Sequence, residues 1–338
     1  MKVARLHGVK DARIHDEGRP SAAPGSSLVR VTAGGLCGSD LHWFTDGGIG
    51  DAQLGGRPLV LGHEFAGVVE GGPLDGRRVA VDPAIPCFTC EPCLEGNHNL
   101  CLRMTFAGHG DCDGGLREYV VWPDRRLHPI PDSVSDAGGA VLEPLGVALH
   151  AFDLGHVRVA SAVAVVGCGP IGLLMVQVAR ASGARSVLAV DPLPHRRAAA
   201  AALGADTALT PAEAAQASQA GQVDVTFEAA GADDAVDTAM RLARPGARVV
   251  LAGIPDDDTT TFSASLARRK GLTLVLVRRM KEMYPRAISL AERGLVDLDA
   301  VVSASYPLAA AGEALTAAAA RTGLKVIVTP SASGPPPH

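Results

Sequence analysis

Ala162-Val163-Ala164-Val165-Val166-Gly167-Cys168-Gly169-Pro170-Ile171-Gly172 is the stretch that decides the fold. Five small apolar residues read as a buried strand, and the glycine run then opens a helix predicted over 171–182. Gly167 permits the tight turn, Gly169 lets a pyrophosphate approach the backbone, and Gly172 lets the helix pack closely on the strand. The free N–H groups of the helix start, at Pro170, Ile171 and beyond, would face that phosphate. By itself the pattern is a strand–helix turn. Its context makes it a nucleotide site, because Asp191 closes the next strand, 19 residues past Gly172, where a carboxylate can accept hydrogen bonds from an adenosine ribose. An acidic group there repels the extra phosphate of NADP, which favours NAD. Arg196 can meet a phosphate, pack over the adenine or sit in solvent.

Downstream, apolar strands at 186–190, 223–228 and 248–253 alternate with Ala- and Leu-rich helical stretches such as 195–203, the texture of a parallel sheet. Upstream the texture differs. Short strands at 27–32, 67–70 and 78–81 are separated by GG, DG and PG turns, an irregular β-rich region. The change falls near Val147. The tail is mixed, with helices predicted at 286–293 and 310–320 and a strand at 325–329, and can return to complete the first region. The expected organisation is α/β: a β-rich domain of residues 1–146 and 284–338, containing a cysteine lobe at 82–104, and a doubly wound parallel-sheet domain of residues 147–283.

Four cysteines in that lobe, Cys87, Cys90, Cys93 and Cys101, follow a C-x2-C-x2-C-x7-C spacing. Four thiolates at such short reach close a tetrahedral shell and leave no place for a substrate, the mark of a structural zinc site. The lobe is rich in turn formers and poor in large apolar residues, so a metal would hold its shape. An iron–sulfur cluster is the rival, and zinc fits the remainder of the chain better. A second set, Cys37, His63, Glu64 and Glu143, stands apart from it. Each of these has an ordinary explanation as a buried thiol, a loop histidine or a member of an ion pair, and spacing cannot show that they converge.

The chain's 338 residues suffice for two cores, and 47% hydrophobic with 20% charged residues is an ordinary globular balance. A net charge of −5, aromatics at 4% and the absence of a long basic run argue against nucleic acid. No secretory segment is read at the start and no apolar run is long enough to span a membrane. Seven cysteines then suit a reducing, cytoplasmic setting.

The blocks CGSDLH (37–42), GHE (62–64), the cysteine lobe, EPLGVALH (143–150), GCGPIG (167–172) and FEAAG (227–231) are spread over nearly the whole chain. In their order and content the chain resembles the medium-chain zinc-dependent alcohol dehydrogenases, and among them the sorbitol and related polyol dehydrogenases, including L-idonate 5-dehydrogenase. The resemblance implies a GroES-like catalytic domain joined to a Rossmann domain, with NAD and two zinc ions per chain, one catalytic and one structural. It implies a catalytic ion held by Cys37, His63 and a glutamate; Glu64 and Glu143 are both open as the third ligand. Ser39 matches a hydroxyl that bonds the substrate oxygen, His42 the outer end of a proton relay, and Arg279 an arginine lining a polyol pocket. Trp43 and Phe44 are read as pocket wall or core. The implied reaction is hydride transfer from a secondary alcohol of a polyol or sugar-like substrate to NAD. L-Threonine, a short diol or an amino-cyclitol is an alternative substrate, and a non-catalytic NAD- and zinc-binding protein is a competing class. Relatives of this type are tetramers or dimers, so a homo-oligomer is expected.

Overall fold

A computed structural model describes residues 1–217, 222–256 and 258–330. Two compact units emerge. One comprises Met1–Glu143, Tyr284–Glu292 and the chain from Val302; the other comprises Pro144–Met283 and Arg293–Val301.

The first unit is built on a seven-stranded sheet in which Leu127–Pro129, Arg78–Val81, Glu64–Glu70, Ser26–Gly35, Lys325–Thr329 and Val302–Pro307 lie side by side. Tyr119–Pro123 also pairs with Ser26–Gly35. Alternate residues of these strands point into cores. Val29, Val31, Phe65, Val69, Val79, Val81, Val120 and Trp122 form one. Trp43 and Phe44 are buried in a second with Val3, Leu6, Leu61, Leu116, Leu315 and Val328, which settles them as core. Two pairings matter for chemistry. Gly35 lies opposite Glu64, and the strand Lys325–Thr329 adds beside Ser26–Gly35 with Ile327 opposite Gly35. Segments nearly three hundred residues apart in sequence thus meet at one end of neighbouring strands in the middle of the sheet.

The second unit carries a six-stranded parallel sheet ordered Thr207–Leu209, Ser186–Val190, Ala162–Val166, Val223–Glu228, Ala243–Leu251 and Thr273–Leu276. Ala162–Val166 is wholly buried, as an uninterrupted apolar run between helices must be. Its following helix is Pro170–Ala181, with Gly169 as N-cap and Pro170 at the first turn, where a missing N–H costs nothing. The predicted strands and helices of this unit recur within one or two residues, apart from Ala243–Leu251, which starts five residues before the expected 248.

The change of texture near Val147 falls inside a twenty-residue helix, Asp136–Gly155, which carries Glu143 and has Pro144 within it. Proline and paired glycines read as punctuation in sequence. Here burial of Ala140, Val141, Leu142, Leu145, Ala148 and Leu149 outweighs that local preference. Among the described residues no helix is long and apolar enough to cross a membrane.

Candidate metal centres and nucleotide site

The cysteine lobe is a local construction. Cys87, Cys90, Cys93 and Cys101 bring their sulfurs within 4.8 Å of one another. The chain folds around them through N–H···S bonds. Cys87 N donates to Cys101 Sγ at 3.2 Å, Cys90 N to Cys87 Sγ at 3.3 Å, and Arg103 N to Cys101 Sγ at 3.4 Å. Arg103 also extends its guanidinium to Cys87 Sγ at 3.4 Å and to Thr89 Oγ1 at 2.6 Å. Thr89, through its backbone and its hydroxyl, holds the Cys87 thiol down to about 5, while burial pushes Cys93 up to about 12. Four sulfurs in this geometry fit a tetrahedral ion of zinc type, and the surrounding donors offset the charge that four thiolates bring.

The second centre is assembled from distant segments. Cys37 caps the helix Gly38–Asp46, and His63 and Glu64 stand at the start of the strand Glu64–Glu70. Their ligand atoms also lie within 4.8 Å of one another. A soft sulfur, an imidazole and a carboxylate make a three-donor set that leaves a coordination position open, the pattern of a catalytic rather than a structural zinc.

Two residues that sequence reasoning left without a role hold this set together. Asp40 is buried at 1% exposure and accepts hydrogen bonds from Cys37 N (2.9 Å) and Gly62 N (3.0 Å). Its Oδ1 also lies 3.6 Å from His63 Nδ1, which leaves Nε2 for an ion. Burial opposes a charged imidazole, yet Asp40 and then Cys37 outweigh it, and the His63 pKa stands well above the ordinary histidine value. Lys325, at 3% exposure, donates from Nζ to both Glu64 oxygens at 2.7 Å and to Leu36 O at 3.0 Å. Burial disfavours its charge, but Glu64 raises its pKa. Gly35 leaves the space that the Glu64 carboxylate fills, since a Cβ there would collide with Glu64 Oε2. Lys325 had a signal in sequence, a lone cation opening the apolar strand KVIVT. Asp40 had one too, an acidic residue three places into a helix capped by Cys37.

Glu143 lies on the helix Asp136–Gly155, buried, and is not among the converging ligand atoms. Burial first, with the nearby charge of Glu64 adding, pushes its pKa up to about 7; His63 and Lys325 pull the other way. Ser39, half-buried, stands in the first turn of Gly38–Asp46, and His42 follows one turn later with Nδ1 3.3 Å from Asp46 Oδ2. Three residues apart on one helix, Ser39 and His42 share a face. Arg279 belongs to the second unit, partly buried, with its backbone in the left-handed region at φ 54°.

In the second unit Gly167 adopts φ 94°, open to glycine and closed to most side chains, and a Cβ on Gly172 would strike Gly167 O. A Cβ on Gly169 would meet only Arg196 Nη1, at 3.8 Å, so the space before the helix N-terminus is clear for a phosphate. Ile171 N-terminal to Gly172 completes that first turn. Asp191, at 3% exposure, accepts from Cys168 N and Leu193 N, both at 2.8 Å, one on each oxygen. Each oxygen keeps a further lone pair for a ribose hydroxyl. Arg196 Nη1 stands 4.0 Å from Asp191 Oδ2. Cys168 is buried, and that burial raises its thiol to about 12, so it packs rather than reacts.

Comparison with known proteins agrees with this layout. Residues 23–132 match the alcohol dehydrogenase GroES-like domain, and residues 170–293 match the zinc-binding dehydrogenase domain. Sorbitol dehydrogenase of Bacillus subtilis (strain 168) is 31% identical over 345 residues, spanning 98% of each chain. The crystal structure of L-idonate 5-dehydrogenase from Escherichia coli K-12 superposes with a TM-score of 0.87 at 29% identity, covering 97% of both chains. A zinc-binding dehydrogenase from Sinorhizobium meliloti 1021, solved bound to NADP, superposes at 0.89 with 32% identity over 97% of this chain and 99% of that one.

Proposed function

The chain is a member of the zinc-dependent medium-chain dehydrogenase family, and on that premise we propose that it oxidises a secondary alcohol of a polyol or sugar-like substrate to the ketone, with NAD as hydride acceptor. The observation that carries the reading is the convergence of Cys37, His63 and Glu64 on one point beside a separate four-cysteine shell. Cys37, His63 and Glu64 would hold a catalytic zinc and Cys87, Cys90, Cys93 and Cys101 a structural one. When bound, the catalytic ion acidifies a hydroxyl and polarises a carbonyl, and the nicotinamide accepts the hydride.

The chain's own residues supply placement and proton handling. Ser39 Oγ takes the proton leaving the substrate hydroxyl as it gives up its own, and the cofactor ribose and His42, on the same helix face as Ser39, would complete the relay outward. Asp40 fixes the ring of His63 and the backbone of Cys37, so two donors are aimed by one buried carboxylate. Lys325 neutralises Glu64 before any ion arrives. Glu143 supplies a buried carboxyl whose pKa burial pushes up in this ion-free centre, and it is the alternative zinc ligand. Arg279 is assigned to polyol hydroxyls.

For the cofactor, Gly167, Gly169, Pro170, Ile171 and Gly172 would receive the pyrophosphate and Asp191 the adenosine ribose. A carboxylate already fixed by two N–H donors favours a ribose over a 2′-phosphate, hence NAD; Arg196 beside it is the residue to test for NADP tolerance. The metal-binding domain is taken as residues 1–146 with 284–338 and the nucleotide domain as 147–283, in a cytoplasmic homo-oligomer, tetramer or dimer.

The deciding experiment measures reduction of NAD and NADP with polyols, sugar acids, diols, amino-cyclitols and L-threonine, with zinc counted in parallel. The proposal expects two zinc ions per chain and turnover of a polyol with NAD. Zinc and NAD binding without oxidation of any alcohol would return the protein to the non-catalytic class.

A further inference from the structure

Glu228 ends the strand Val223–Glu228 with its side chain buried at 2% exposure. Its carboxylate binds backbone only. Oε1 accepts the N–H groups of Ala230 and Gly231, both at 2.7 Å, and Oε2 accepts that of Gly253 at 3.2 Å. Its carbonyl accepts Ala252 N and Gly253 N, and the next residue, Ala229, donates from N to Val166 O. Glu228 and Ala229 together therefore tie the carboxyl ends of three adjacent strands, Ala162–Val166, Val223–Glu228 and Ala243–Leu251.

The junction is packed backbone on backbone. A Cβ on Gly167 would come within 2.6 Å of Ala230 N, one on Gly231 would strike Ile254 O, and one on Gly253 would strike Gly231 N and lie 2.7 Å from Glu228 Oε2. Strand order reverses between Ala162–Val166 and Val223–Glu228, and ligands of such sheets bind outside the carboxyl ends at that reversal. Asp191 takes the adenosine on one side of it. A dinucleotide whose pyrophosphate crosses at Gly169 must then lay its other half over the turns that Glu228 clamps.

We propose that Glu228 is a positioning residue for the nicotinamide half of the dinucleotide, acting through the turns Ala229–Gly231 and Ala252–Ile254. The inference rests on the nucleotide reading of the glycine turn. In Glu228→Gln the volume is kept, but the amide nitrogen faces the Gly253 N–H, donor against donor, so that turn loses its side-chain clamp and is held only through the Glu228 carbonyl.

The test titrates NADH, by its fluorescence, and ADP, by calorimetry, into wild-type and Glu228→Gln protein. The expected result is a Kd for NADH weakened about tenfold or more, with the Kd for ADP unchanged. Equal weakening of both ligands would make Glu228 a general scaffold residue, and no change in either would remove its role; both overturn the inference. Wild-type protein that bound neither ligand would overturn the nucleotide reading and this inference with it. Hydrogen exchange on the wild type gives a reading that does not depend on the variant folding. The amides of Ala230, Gly231 and Gly253 should gain protection with NADH and not with ADP, and equal protection by the two would sink the proposal.

Discussion

The two metal-ligand clusters are opposites in construction. The cysteine lobe draws its four ligands from fifteen consecutive residues, Cys87 to Cys101, and its N–H···S bonds come from the same loop. The Cys37–His63–Glu64 centre draws on a helix N-terminus and a strand, and is charge-balanced by Lys325 from 261 residues away. A local site depends on its ion for shape. A dispersed site inherits its shape from the sheet and depends on buried partners for its charge. The lobe should therefore fail structurally when its metal fails, and the dispersed centre chemically.

The sharpest break of that contrast is a pair of serine substitutions. Cys37→Ser should cut turnover by more than the roughly 10- to 100-fold that loss of an outer partner costs, while zinc analysis still finds the lobe ion and the melting curve is kept. Cys90→Ser should do the reverse, with loss of the lobe ion and a fall in melting temperature or solubility. Full rate in Cys37→Ser would remove it from the centre.

Lys325→Met tests whether charge balance is what the sheet supplies. It leaves the Glu64 carboxylate buried without its cation, which costs about 3–5 kcal/mol when one partner of a buried pair is removed. The loss should be large in zinc-free protein and smaller once zinc is added, since the ion brings positive charge to the same carboxylate. Denaturant melts of both forms check this, and equal losses would mean that Glu64 does not meet the ion.

Arg103→Ala asks the parallel question of the lobe. Removing the guanidinium from Cys87 Sγ should weaken retention of the lobe ion by about tenfold, read as faster extraction by a chromophoric chelator, with turnover kept at early times.

A further effect is one of pH. Cys93, raised to about 12, still carries its proton at neutral pH, and an incoming ion must displace it. Zinc affinity of the lobe should therefore climb as pH rises from 6.5 to 8.5, by roughly tenfold per pH unit for each proton displaced. Cys87, held down to about 5, is already a thiolate over that range and adds no slope until pH falls toward 5. Chelator competition across the range measures it, and a flat profile would contradict the assignment.

Legibility followed the same division. The lobe, the glycine turn and the alternation of strand and helix were readable because each is set by residues within a few positions of one another. The helix Asp136–Gly155 was not readable as one element, because its proline and glycines are overruled by burial that only neighbouring segments provide. Asp40 lay within the CGSDLH block, and its role appears only when Gly62 and His63 arrive beside it. Of Glu64 and Glu143, spacing favoured neither; the paired strands put Glu64 beside Cys37 and His63.

From its sequence alone this protein declared its two textures, a metal-gathering loop and a nucleotide turn, since short-range spacing and backbone sterics act before any fold is complete. Tertiary structure decided which carboxylate lies beside Cys37 and His63, which lysine balances it and which buried glutamate clamps the strand ends. Those choices turn on desolvated charges meeting across hundreds of residues, and that meeting exists only once the sheets have brought them together.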